Sequence, residues 1–221
     1  MPRRLVAPFV ALALVASCVG SPERSDPNDV LTLPLVVVHS GNEAQVDRIV
    51  AEAEMYLSAA NIVVAIERTA GLETGELDLD DTEALASLER PHRTDATLLV
   101  VLPECATRGG QTAYGFTPRI PLGDDPEDEA SGVYVPLAVC SLVDQEPLDV
   151  DVIGKLLAHE LGHALGLSHS ATTRNDPFDP GADAFDDTTA ENLMFASPLE
   201  PFASGFSPSQ ISVMRSHPIL R

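Results

Sequence analysis

Between residues 31 and 139 short apolar runs alternate with stretches of helical periodicity. Residues 31–40, LTLPLVVVHS, are β-branched and apolar on both faces, which predicts a buried strand. Within residues 42–61 the apolar positions Val46, Ile49, Val50, Ala53, Tyr56 and Leu57 recur at helical spacing, which predicts an amphipathic helix. Residues 62–70, IVVAIERTA, read as a second strand and residues 95–103, DATLLVVLP, as a third. Between them residues 82–90 read as a short helix stopped by Pro91. Residues 104–131 are dominated by glycine, proline and acids and read as a loop, inside which residues 112–118, TAYGFTP, could form a short edge strand. Residues 132–139, GVYVPLAV, read as a further strand, with Pro136 favouring an edge or a strand end. This order predicts an α/β (α+β) layer, and no internal repeat interrupts it.

A third segment begins near Asp149. Val152, Ile153, Leu156, Leu157, Leu161, Ala164 and Leu165 predict a long buried helix, and Gly166 offers a left-handed stop. A loop rich in Asp and Pro follows over residues 167–192. The last helix is announced by Ser207 as N-cap, Pro208 next to it and Gln210 closing a capping box. Residues 31–166 are therefore expected to form an N-terminal subdomain and residues 167–221 a smaller C-terminal one ending in a helix.

The first stretch is excluded from the fold. Arg3 and Arg4 precede an apolar run over residues 5–16, too short to span a bilayer as a stable helix. Residues 1–17 read as a signal peptide. Val15, Ala16, Ser17 and Cys18 resemble a bacterial lipobox, in which lipid is carried on the cysteine; the rival is an ordinary secretory signal with an incidental cysteine. Residues 18–30 then read as a polar tether, held firmly only if several acyl chains are attached. Both readings export the protein, as a membrane-anchored lipoprotein or as a secreted one. Export places Cys105 and Cys140 in an oxidising compartment, where a disulfide is expected; the alternative is two separate buried thiols.

Composition narrows the function. The 221 residues carry a formal charge of −21 with no basic stripe, which argues against nucleic acid as a partner. The acidic stretches over residues 123–129 and 175–187 could hold structural calcium, although neither has EF-hand spacing and solvated loops explain them as well. A monomer is expected.

The chemistry concentrates in HELGHALGLSH, residues 159–169. His159 and His163 stand one helical turn apart on one face, so two imidazoles can reach one ion. Glu160 points to the neighbouring flank, within reach of a water on that ion. His169 needs a sharp turn after Gly166, which glycine allows at little cost. Three imidazoles with an open fourth position describe a catalytic zinc site. The five fixed positions arise by chance in a chain of this size about once in a hundred thousand.

On these residues the chain resembles the metzincin metalloproteases, and HELGHALGLSHS is most similar to their matrixin branch. The resemblance implies a metzincin-like catalytic domain with a twisted, mostly parallel sheet, an antiparallel edge strand over residues 112–118 and a long active-site helix. It implies zinc on His159, His163 and His169, Glu160 as general base and Met194 of ENLMF as the hydrophobic floor of a Met-turn. The activity implied is that of a zinc endopeptidase acting on extended peptide or protein substrates. Three departures stand out: a long gap from His169 to Met194, Ala196 where some metzincins carry tyrosine, and no cysteine-switch motif. The competing class is a surface lipoprotein that keeps fold and metal site as a binding module without cleaving.

Overall fold

A computed structural model describes residues 26, 28–73, 75–94, 96–118, 130–140, 146–169, 192–194 and 205–221. The expected signal peptide, Cys18, the acidic stretches considered for calcium and much of the C-terminal subdomain lie outside the described residues.

The elements run β1 (Leu31–His39), α1 (Glu43–Leu57), β2 (Ile62–Gly71), β3 (Glu76–Asp78), α2 (Thr82–Glu89), β4 (Leu98–Leu102), β5 (Cys105–Arg108), β6 (Gln111–Thr112), β7 (Val133–Tyr134), β8 (Ala138–Val139), β9 (Glu146–Pro147), α3 (Val150–Ala164) and α4 (Pro208–Arg215). The main sheet has the order β2-β1-β4-β7, and every pair in it is parallel. Parallel strands buried on both faces need continuous apolar sequence, and β1 and β4 supply it. Leu33, Leu35 and Val37 of β1 face α1 and α3, together with Leu98, Val100 and Leu102 of β4. Val36, Val38, Leu99 and Val101 point the other way, into a second core with Leu85 of α2 and Tyr134 of β7.

The ends of the helices follow local chemistry. Asn42 caps α1 by accepting from Gln45 N at 3.0 Å. The expected helix over residues 42–61 is shorter, because a 3-10 turn at Ser58–Ala60 closes it and Asn61 leaves with φ 53°. Ser207 and Gln210 form the expected capping box at the start of α4.

Three readings need correction. The strand expected over residues 132–139 is broken into β7 and β8, with Pro136 between them, where it can donate no ladder bond. The loop expected over residues 104–131 contains a hairpin, β5 to β6, turned by Gly109 and Gly110 at φ 59° and 72°. β5 also pairs in parallel with β3, giving a small second sheet. The antiparallel edge of the main sheet is narrower than residues 112–118. It is one bridge, in which Phe116 and Tyr134 exchange both backbone hydrogen bonds at 2.9 Å.

The Cys105–Cys140 disulfide is formed, with 5.3 Å between the Cα atoms. It ties β5 to the end of β8, and Thr112 Oγ1 donates to Cys140 O at 2.7 Å beside it. Among the described residues no helix is long and apolar enough to cross a membrane.

Candidate metal centre and active site

α3 carries the motif deep into the molecule. Ile153, Leu156, Leu157 and Leu161 bury its apolar face in the core shared with α1. At Gly154 the two helices approach so closely that an added Cβ would stand 2.3 Å from Glu52 Cβ. The same packing takes His159, Glu160 and His163 out of solvent, at 2%, 6% and 5% exposure.

The chain then reverses. Gly166 has φ 102°, the left-handed conformation that a side chain would oppose. Gly166 N donates to His163 O and Leu167 N to Gly162 O, both at 2.9 Å, which is the Schellman pattern of helix termination. This reversal brings Leu167 O back to accept from His163 Nδ1 at 2.7 Å, and it sets His169 beside the helix. His159 Nδ1 donates to Leu193 O at 2.7 Å. A carbonyl only accepts, so Nδ1 carries the proton in both rings and Nε2 is left bare.

The Nε2 atoms of His159, His163 and His169 lie 3.1 Å from one another in all three pairs. The bare lone pairs of His159 and His163 repel at that distance unless a cation, or a proton on His169, lies between them. Ligands of one tetrahedral zinc, each about 2.0–2.1 Å from it, stand roughly 3.3–3.4 Å apart. The triangle therefore fits zinc in both size and donor chemistry. Burial lowers His163 to about 3 and His159 to about 4, the latter against the opposing bond to Leu193, so both rings stay neutral and ready to ligate.

Glu160 sits in a seat made by the edge segment. Thr117 Oγ1 donates to Glu160 Oε2 at 2.7 Å and also contacts Glu160 O at 3.2 Å. Gly115 clears space for the carboxylate: a Cβ there would stand 2.3 Å from Glu160 Oε1. Positions 115 and 117 share one face of an extended segment. Phe116 between them packs into the second core, under the Arg108 guanidinium at 4.4 Å. Burial raises the Glu160 carboxyl to about 7, opposed by the Thr117 bond and the charge of Arg108.

Met194 is fully buried beneath α3, where a Cβ on Gly162 would meet its sulfur at 2.6 Å. Its turn is held from α4. Asn192 and Gln210 exchange amide hydrogen bonds at 2.9 and 3.1 Å, and Met194 N donates to Asn192 Oδ1 at 2.8 Å. Thus Gln210, which closes the capping box of the last helix, also fixes the turn whose Leu193 carbonyl orients His159.

The structure gathers His159, His163 and His169 at one point, with Glu160 next to the first and Met194 below the helix. Sequence reasoning missed Gly115, Thr117, Asn192 and the carbonyls of Leu193 and Leu167. Gly115 and Thr117 carried a signal, since they alternate with an apolar Phe116 in a segment already read as an edge. The carbonyls carried none, because every residue has one.

No family model matches the chain, and neither does any curated protein sequence. Solved structures do. Metalloproteinase-II from Bacteroides fragilis matches with a TM-score of 0.53 at 14% identity, over 86% of this chain and 54% of that one. This chain thus spans about half the length of metalloproteinase-II, and the likeness is one of fold. Archaemetzincin from Methanopyrus kandleri gives a TM-score of 0.41 at 18% identity, covering 85% of this chain and 88% of that one. Archaemetzincin from Archaeoglobus fulgidus gives 0.44 at 13%, covering 82% and 99%.

Proposed function

We propose that the protein is a zinc-dependent endopeptidase of the metzincin type, most similar in its motif to the matrixin branch. The observation that carries this reading is the triangle of three Nε2 atoms beside a buried glutamate. His159, His163 and His169 would hold the ion. Bound zinc supplies a Lewis acid for the peptide carbonyl and lowers the pKa of a coordinated water. Glu160 takes the proton of the attacking water on its carboxylate and passes it to the leaving amine. The carbonyls of Leu193 and Leu167 keep two ligand rings in the tautomer that presents Nε2.

Metalloproteinase-II is by name a metalloproteinase, and the shared fold supports carrying that activity over. Substrates are then peptides or unfolded proteins, bound extended along the edge at Phe116. A binding module that does not cleave has no use for a buried glutamate seated beside the ion site. The same proposal includes the division of residues 31–221 at Gly166, export by residues 1–17 and lipid on Cys18, supported by the apolar run over residues 5–16 and the cysteine placed after it.

The test is cleavage of an unfolded protein by the purified, zinc-loaded chain, before and after treatment with a zinc chelator. Activity lost on chelation and regained on zinc addition is expected. Cleavage indifferent to the chelator would sink the zinc mechanism.

A further inference from the structure

We propose that Thr117 is a positioning residue for the reaction. Its hydroxyl holds the Glu160 carboxylate in the working orientation, and Gly115 makes the room that this orientation needs. The inference rests on the peptidase reading and goes beyond it, because nothing in the HExxH pattern specifies residue 117.

Glu160 has two carboxylate oxygens to place, and its side chain is 6% exposed. An unpaired buried carboxylate is costly, and a single torsional change would turn it away from the ion. Thr117 Oγ1 at 2.7 Å fixes Oε2. The absent Cβ at Gly115 lets Oε1 lie against the edge backbone, a place any side chain there would fill.

The seat itself is rigid. Phe116, between the two residues, exchanges both backbone hydrogen bonds with Tyr134. The Tyr134 hydroxyl donates to Glu89, a carboxylate wholly removed from solvent. Glu89 also accepts from Gly132 N at 2.7 Å and from Arg93 Nη2 at 2.6 Å. Residue 117 is therefore held from behind by a fully partnered network and presents one donor forward. Valine fills the same volume without the donor, and serine keeps the donor without the methyl.

The experiment compares Thr117→Val, Thr117→Ser and Glu160→Gln with the wild type, all zinc-loaded. Thr117→Val should lower kcat roughly 10- to 100-fold, the usual cost of an outer-layer partner. KM and zinc content should stay near wild type, and Thr117→Ser should restore most of kcat. In the Glu160→Gln background Thr117→Val should cost nothing further, because Thr117 acts through that carboxylate. Crystal structures of the zinc-loaded proteins give a readout free of activity: the carboxylate should leave its seat in Thr117→Val and keep it in Thr117→Ser. Wild-type kcat in Thr117→Val, equal loss in the serine and valine variants, or an unmoved carboxylate would overturn the proposal. If the zinc-loaded wild type does not cleave at all, the peptidase reading falls, and the crystal structures alone decide what Thr117 holds.

Discussion

His159 and His163 each use one nitrogen to bind a backbone carbonyl and leave the other for an ion. Burial then keeps both rings neutral well below the ordinary histidine range, down to about 4 and about 3. This has a consequence for the metal-free protein. As pH falls below the unfolded value of about 6.5, the unfolded chain takes up protons that the folded chain refuses. At these two rings the unfolded state then binds more protons, which lowers stability as pH drops from about 6.5 toward 4, while Glu160, raised to about 7, keeps a proton that the unfolded chain lacks above about 4.5 and offsets part of the loss. Urea titrations of metal-free protein at pH 7.5, 6 and 5 should give falling midpoints, and His159→Phe should flatten the trend. A wild-type midpoint that falls no more steeply than that of His159→Phe would mean that the His159 ring is not held neutral.

At the scale of elements the site depends on parts far apart in the chain. α3 supplies two of the three histidines and the glutamate, the Gly166 turn brings in the third, and the edge segment seats the glutamate. α4 acts at one remove, through Gln210, Asn192 and the Leu193 carbonyl. Gln210→Ala removes both amide bonds and should weaken zinc binding roughly 10- to 100-fold. Competition against a chromophoric chelator reads that directly, and unchanged affinity would show that the turn at Met194 holds itself. Much of this was legible in sequence. Periodicity gave α1, α3 and the strands β1, β2 and β4, since each buries a regular pattern. The motif spacing pointed to the three histidines that the fold brings together, and Gly166 to the turn. The β5–β6 hairpin was not read, although Gly109-Gly110 is a recognisable turn pair, because the surrounding prolines and acids masked it. The seat of Glu160 was not read because it joins residues 115 and 160 through space, and neither position shows this by itself.

At the scale of the molecule, one parallel sheet with a core on each face carries the site at its antiparallel edge. The disulfide between Cys105 and Cys140 braces that edge, since it joins the hairpin leading to Thr112 to the end of β8. Closing a loop with a sequence separation of 35 constrains the unfolded chain by roughly 3–4 kcal/mol in the chain-entropy model. Replacing both cysteines by serine should lower the unfolding free energy by about that amount while leaving the three histidines in place. Chemical denaturation of the two forms provides the comparison, and equal stability would show that the brace contributes nothing.

The central claim is that the three histidines hold a zinc ion at which Glu160 drives peptide hydrolysis. The most direct measurement is the turnover of an unfolded protein substrate by wild type and Glu160→Ala, both shown to carry one zinc per chain. The account predicts that the wild type cleaves and that the variant, with its zinc retained, is slower by several orders of magnitude. Equal rates at equal zinc content would contradict it.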